Sequence, residues 1–203
     1  MFLLKKYYWE VKETKSKGRG VFARKPISAG TLIGDYVGKL VHLKDVDFDK
    51  EKGNLYLMYY NDTTGIYPSL RKPGIHLLNH SCSPNCWIFK FKRHTLVFAL
   101  KNIMNGDELT ISYLLPPGKL CTNCTHKCFC ESKVCTKSMH LTEGGYKKWQ
   151  DFQDKEERKG KYRKIINENA LKLLAKYPKS ISKSYIVKIK NLEITQNLSI
   201  SLI

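Results

Sequence analysis

Two groups of residues in this 203-residue chain carry chemistry by their type and spacing. The first is Asn79-His80-Ser81-Cys82-Ser83-Pro84-Asn85-Cys86, which sets amides, an imidazole and thiols around a Ser-Pro-Asn step that favours a tight turn. Asn and His supply hydrogen-bonding groups, and cysteine supplies a sulfur that binds metals as the thiolate. The second is a crowd of cysteines, Cys121, Cys124, Cys128, Cys130 and Cys135, close together after the middle of the chain. With Cys82 and Cys86 they make seven. An odd count in a chain that reads as intracellular argues against a disulfide framework and for metal binding.

The charge balance is the other strong signal. There are 36 Lys+Arg against 18 Asp+Glu, a net charge of +18. Such a field attracts nucleic acid, nucleosomes, ribosomes or anionic membrane, and it speaks of partners rather than fold. No apolar run reaches the roughly 18 residues needed to span a bilayer. Met1-Phe2-Leu3-Leu4 runs straight into Lys5-Lys6 and lacks the order of a signal peptide. The expectation is a soluble, intracellular, monomeric protein with one main domain and a modest extension, not acting at a membrane.

The elements that must position these residues are short. From Tyr7 to about Tyr113 the chain reads as strands and turns, a mainly β fold. Gly18-Arg19-Gly20 precedes Val21-Phe22-Ala23, Pro26 to Gly30 turns, and Thr31 to Val41 is β-rich. Thr95 to Leu100 alternates as a half-buried strand would, and Asn105-Gly106-Asp107 turns into a strand over Leu109 to Tyr113. His42 to Gly53 reads as a charged loop or short helix. From Glu143 to Tyr177, Tyr146, Trp149, Phe152, Ile165, Ile166, Ala170, Leu173 and Leu174 recur near helical spacing, predicting one or two amphipathic helices that end before Pro178. The boundaries expected are an N-terminal segment 1–14, a main domain 15–115, a cysteine segment 116–140 and a basic, helical extension 141–203.

Four segments, in this order, resemble the SET-domain family of protein-lysine methyltransferases: Gly18 to Ala23, Tyr36-Val37-Gly38, Asn79 to Asn85, and Gly106-Asp107-Glu108-Leu109-Thr110-Ile111-Ser112-Tyr113. The resemblance implies the SET or β-clip fold, small sheets knotted so that the Asn79 and Tyr113 segments thread past each other. It implies S-adenosylmethionine as methyl donor and an in-line transfer to a lysine that enters a narrow channel. Such a channel must favour the neutral amine, since a lysine in water titrates near 10.4. Tyr113 matches the family's catalytic tyrosine, which orients the amine rather than serving as a base. Gly18, Arg19 and Gly20 would let backbone approach the cofactor, and Asn79 and His80 match its contacting pair. Tyr56 falls roughly where the family lines the channel or cofactor site, with Tyr59 and Tyr60 as alternatives.

Cys128-Phe129-Cys130-Glu131-Ser132-Lys133-Val134-Cys135 is similar to the family's post-SET module. By that resemblance Cys128, Cys130 and Cys135 join Cys82 around one structural Zn²⁺, and Phe129 walls the channel or the adenine pocket. Cys121, Cys124, Cys128 and Cys130 also have zinc-like spacing and remain an alternative set, with Cys86, Cys121 and Cys124 otherwise free thiols.

The chain departs from the family pattern in places. His76-Leu77-Leu78 stands where the family has Arg-Phe-Ile, Lys39 replaces the Glu after Tyr-x-Gly, and Ser112 replaces the Asp before the catalytic tyrosine. Ile111 stands where the family often places Phe or Tyr, an aliphatic that favours di- or trimethylation. The function implied is S-adenosylmethionine-dependent lysine methylation, of a histone or nucleosome first, in the nucleus of a eukaryotic cell or host. A non-histone substrate such as a ribosomal protein, and a silent scaffold that binds chromatin or nucleic acid through the basic tail, are the competing readings.

Overall fold

The computed structural model describes residues 1–47, 56–91, 94–113 and 126–159. Its first hairpin follows from the sequence around Thr14. Strands β1 (Trp9–Glu13) and β2 (Arg19–Ala23) pair antiparallel from Trp9 opposite Ala23 to Glu13 opposite Arg19. Gly18 turns the chain with φ +65°, a conformation that side chains with a Cβ resist. The Thr14 hydroxyl donates to the Gly18 carbonyl oxygen at 2.7 Å and accepts from the Lys17 N–H at 2.9 Å, which closes the turn.

Strand β3 (Leu32–Asp35) comes next, then β4 (Lys39–His42), β5 (Met58–Tyr59), β6 (Thr64–Tyr67) and β7 (Asn79–His80). Strands β8 (Cys86–Phe91), β9 (His94–Ala99) and β10 (Glu108–Ile111) complete the set. They form three small sheets with orders β1-β2-β10-β7, β3-β9-β8 and β4-β6-β5. The mainly β expectation holds. Thr95 to Ala99 lies in a strand as expected, but its alternation does not mark a single covered face, since every residue of β9 is buried. The strand lies between β3 and β8, with core on both faces. The last strand stops at Ile111, so Ser112 and Tyr113 leave it rather than belong to it.

The core holds Val21, Ile33, Ile66, Leu78, Val97, Leu109 and Ile111, all at or below 1% exposure. Each such side chain contributes about 1.5–3 kcal/mol by leaving water. Asp35 and His94 are also fully buried. They satisfy each other, His94 Nδ1 lying 2.8 Å from Asp35 Oδ2, while Asp35 Oδ1 accepts from the Thr95 N–H at 3.1 Å.

Helix α1 spans Glu143–Arg158. Thr142 caps its start by accepting from the Gly145 N–H at 3.2 Å, Glu143 stands in the first turn, and Lys155 and Arg158 stand in the last, as the helix dipole favours. The predicted helical pattern beyond Lys159, like Cys121 and Cys124, lies outside the described residues. Among the described residues no helix is long and apolar enough to cross a membrane.

Candidate active site and metal centre

The site begins where two distant segments run side by side. Strand β10 pairs antiparallel with β2 along one edge and parallel with β7 along the other, where Thr110 faces Asn79 and Ile111 faces His80. The parallel pair is only two residues long and is reinforced by side chains. Asn85 Oδ1 accepts from the Thr110 N–H at 2.8 Å and its Nδ2 donates to the Glu108 carbonyl at 2.8 Å, so one carboxamide stands in for backbone. Asn85, expected to serve the turn, thus also fixes β10.

This pairing delivers Tyr113 to the Asn79-His80 segment. Its N–H donates to His80 Nδ1 at 2.9 Å and its hydroxyl donates to the Leu78 carbonyl at 2.5 Å. Burial pushes the Tyr113 phenol up from its ordinary value, and the nearby Tyr56 and Glu108 push it further, so it stays protonated at neutral pH. Tyr36 is raised in the same way, by burial first and then by Tyr113, Tyr56 and Tyr67. Its hydroxyl donates to the Tyr56 carbonyl. Tyr56 sets its ring edge-on to His76, with centroids 5.5 Å apart. Tyr36, Tyr56 and Tyr113 therefore form one aromatic neighbourhood. Burial pushes His80 down to about 4, keeping the ring neutral and able to accept.

The Gly18–Gly20 backbone reaches the same place through Glu108. The Asn79 Nδ2 donates to Glu108 Oε1 at 2.8 Å and to the Arg19 carbonyl at 3.2 Å, and the Lys17 ammonium pairs with Glu108 Oε2. A Cβ on Gly20 would lie 2.5 Å from Glu108 Oε1 and 2.9 Å from Asn79 Nδ2, so a larger residue here would displace the Glu108 and Asn79 side chains from each other. A Cβ on Gly18 would meet open space. The exposed, glycine-flanked backbone beside the Asn79 amide fits a polar small molecule laid against the chain.

The second centre is the cysteine cluster. The sulfurs of Cys82, Cys128, Cys130 and Cys135 all lie within 4.8 Å of one another. The Cys82–Cys128 separation is 3.7 Å, close to the sulfur spacing of about 3.8 Å that four Zn–S bonds of 2.3 Å produce in a tetrahedron. Donors surround the sulfurs: Thr136 N–H to Cys82 Sγ at 3.4 Å, and Cys82 N–H to Cys130 Sγ at 3.4 Å. Burial raises the Cys82 and Cys128 thiols. Burial also acts to raise Cys130, but the Cys82 N–H with the Ser132 hydroxyl and N–H outweighs it and brings Cys130 down to about 6. Four soft donors at this spacing fit a closed structural ion. Cys86 is not among them; it is buried in the main core, where burial pushes its thiol up to about 12.

Helix α1 is part of this centre. Tyr146 and Trp149 pack on the cluster, Trp149 Nε1 donates to the Cys82 carbonyl at 3.0 Å, and Gln153 donates to the same oxygen at 3.2 Å. Sequence reasoning found Tyr113, Asn79, His80, Gly18, Arg19 and Gly20, and the structure brings these together. It leaves Phe129 half exposed, at 50%. It adds Lys17, Tyr36, Glu108, Trp149 and Gln153. Glu108 and Tyr36 sit inside motifs already quoted, but nothing in their spacing tells which partner they meet.

Residues 18–114 match the family model described as SET domain. That segment is a SET domain, with Tyr113 near its end. Among curated proteins the chain is 30% identical over 134 residues to "Histone-lysine N-methyltransferase trithorax" of Drosophila virilis, covering 61% of this chain and 3% of that protein. It is 30% identical over 150 residues to "Variant-silencing SET domain-containing protein" of Plasmodium falciparum, covering 67% and 6%. It is 29% identical to "Histone-lysine N-methyltransferase, H3 lysine-36 specific" of Saccharomyces cerevisiae, covering 61% and 18%. The chain thus spans a small fraction of these relatives' length. Among solved structures it shares the fold of KRYPTONITE, in a crystal structure with mCHG DNA and SAH, at TM-score 0.56 and 24% identity, covering 65% of this chain and 29% of that one.

Proposed function

We propose that this chain is a protein-lysine N-methyltransferase that uses S-adenosylmethionine and acts on a histone or nucleosome. The observation that carries the reading is the convergence of Tyr113, His80, Asn79 and the Gly18–Gly20 backbone through the two pairings of β10. The relatives named as histone-lysine methyltransferases support it.

S-adenosylmethionine, when bound, supplies an electrophilic methyl group. Gly18, Arg19, Gly20, Asn79 and His80 hold it, with Tyr56 and the exposed ring of Phe129 at the edges of the site. Tyr113 stays protonated and orients the incoming amine by its hydroxyl, a fixed dipole rather than a base. The aromatic neighbourhood of Tyr36, Tyr56 and Tyr113 disfavours a solvated ammonium and tolerates the methylated product. Cys82, Cys128, Cys130 and Cys135 hold a structural Zn²⁺ that ties the segment after the SET domain to the Asn79 strand.

The net charge of +18 suits a partner covered with phosphate, as a nucleosome is. Labelled methyl transfer from S-adenosylmethionine to histones, nucleosomes and ribosomes tests the reading. Transfer to a histone that Tyr113→Phe lowers by about 10²–10³ is the expected result; transfer to none of the three would leave the silent scaffold as the better account.

A further inference from the structure

A further pair of metal-binding side chains meets outside the sites described above. The Met139 N–H donates to the His126 carbonyl at 3.0 Å, Lys127 bridges Ser138, and the Cys128 N–H donates to the Lys137 carbonyl at 2.9 Å. These bonds run the two segments antiparallel and set His126 across from Met139, so that His140, the next residue, comes beside it at the open end of the loop that carries Cys128, Cys130 and Cys135. The rings stack with centroids 5.0 Å apart and planes 19° apart, and His126 Nδ1 lies 3.0 Å from His140 Nε2. Ser138 fixes the His140 backbone, its hydroxyl donating to the His140 carbonyl at 2.9 Å and accepting from the His140 N–H at 3.1 Å.

Two nitrogens that each bind a tetrahedral Zn²⁺ at about 2.0–2.1 Å lie roughly 3.3 Å apart. The observed separation is a few tenths of an ångström from that. We propose that His126 and His140 bind a second transition-metal ion, Zn²⁺ or one of similar preference, through His126 Nδ1 and His140 Nε2. Each neutral ring presents a lone pair there once its proton sits on the far nitrogen, Nε2 of His126 and Nδ1 of His140. Binding then exchanges the hydrogen bond that the two rings share at 3.0 Å for two metal bonds, with a change of tautomer and no proton leaving a neutral ring. Water or other donors would fill the remaining coordination positions, so this ion would be held less tightly than one among four thiolates. Its effect is to staple the open end of the cysteine loop, which makes the pair a structural site independent of the methyltransferase reading.

The test is a cobalt and zinc titration of the full chain, with metal counted per chain and the thiolate-to-cobalt absorption followed in parallel. The wild type should hold about two ions. His126→Gln/His140→Gln should hold about one while keeping the thiolate absorption, which also shows that the variant is folded. Cys130→Ser should weaken that absorption and keep the other ion, so failure at the cluster and failure at the pair are told apart. The single variants His126→Gln and His140→Gln, each expected to lose the second ion, serve if the double variant does not fold. One ion per wild-type chain, or a count that the histidine substitutions leave unchanged, overturns the proposal.

Discussion

Glu108 holds the Asn79 amide at 2.8 Å across 29 residues of sequence. The same carboxylate takes the Lys17 ammonium, so one residue of β10 anchors both walls of the proposed cofactor site. Hydrogen bonds to a charged group contribute about 1.5–3 kcal/mol. Glu108→Gln should therefore raise the KM for S-adenosylmethionine roughly tenfold or more, with kcat nearly kept, because Glu108 positions the site without touching the reacting atoms. Equal KM values for the two proteins would refute this role.

Tyr113→Phe separates chemistry from stability. Loss of a preorganised hydroxyl should lower kcat by about 10²–10³. The Leu78 carbonyl loses its 2.5 Å donor, a cost of about 1–3 kcal/mol, so thermal unfolding should shift down by roughly 2–10 °C. A variant that unfolds earlier yet methylates at the wild-type rate would remove Tyr113 from the mechanism.

Metal removal should be felt in helix α1. Trp149 donates to the carbonyl of Cys82, itself one of the clustered cysteines. Chelation, or Cys130→Ser, should loosen the cluster and shift the fluorescence of Trp149, isolated by comparison with Trp149→Phe. A Trp149 signal unchanged by chelation would show that the helix docks without the ion.

His76 gives the fold a pH dependence. It is 6% exposed, and burial, then the chain amino group and Arg19, hold its pKa down at about 4. The unfolded chain takes up a proton near 6.5 that the native state refuses, so stability is whole above that pH and falls as the pH drops toward 4. The loss should reach on the order of 3 kcal/mol. Urea midpoints at several pH values across this window, for wild type and His76→Gln, measure it; a slope that the substitution leaves unaltered would assign the effect elsewhere.

Much of the site was legible because its parts are local. Gly18–Gly20, the Asn79 octapeptide and the Gly106–Tyr113 run each declare themselves within eight residues or fewer. What joins them was not. Glu108 meets Asn79, and Trp149 meets Cys82 from 67 residues away, through contacts that no spacing rule encodes. The burial of β9 was missed for the same reason: alternation reports one covered face, and the covering of the other comes from residues distant in sequence. Asn85 carries a turn signal in sequence, and its use as a substitute strand partner appears only once β10 lies beside it.

One of the two inner strands of the largest sheet, β10, is also the last in chain order among the described residues. The β1–β2 hairpin can form as soon as Ala23 exists, but its other neighbour, β10, arrives some eighty residues later and must settle against β2 and β7 together. Until then β2 offers an unpaired edge, and the segments that build the proposed site have no common support. Assembly of the site and closure of the fold are thus a single late event, and a nascent or truncated chain that ends before Glu108 should neither bind the methyl donor nor resist aggregation.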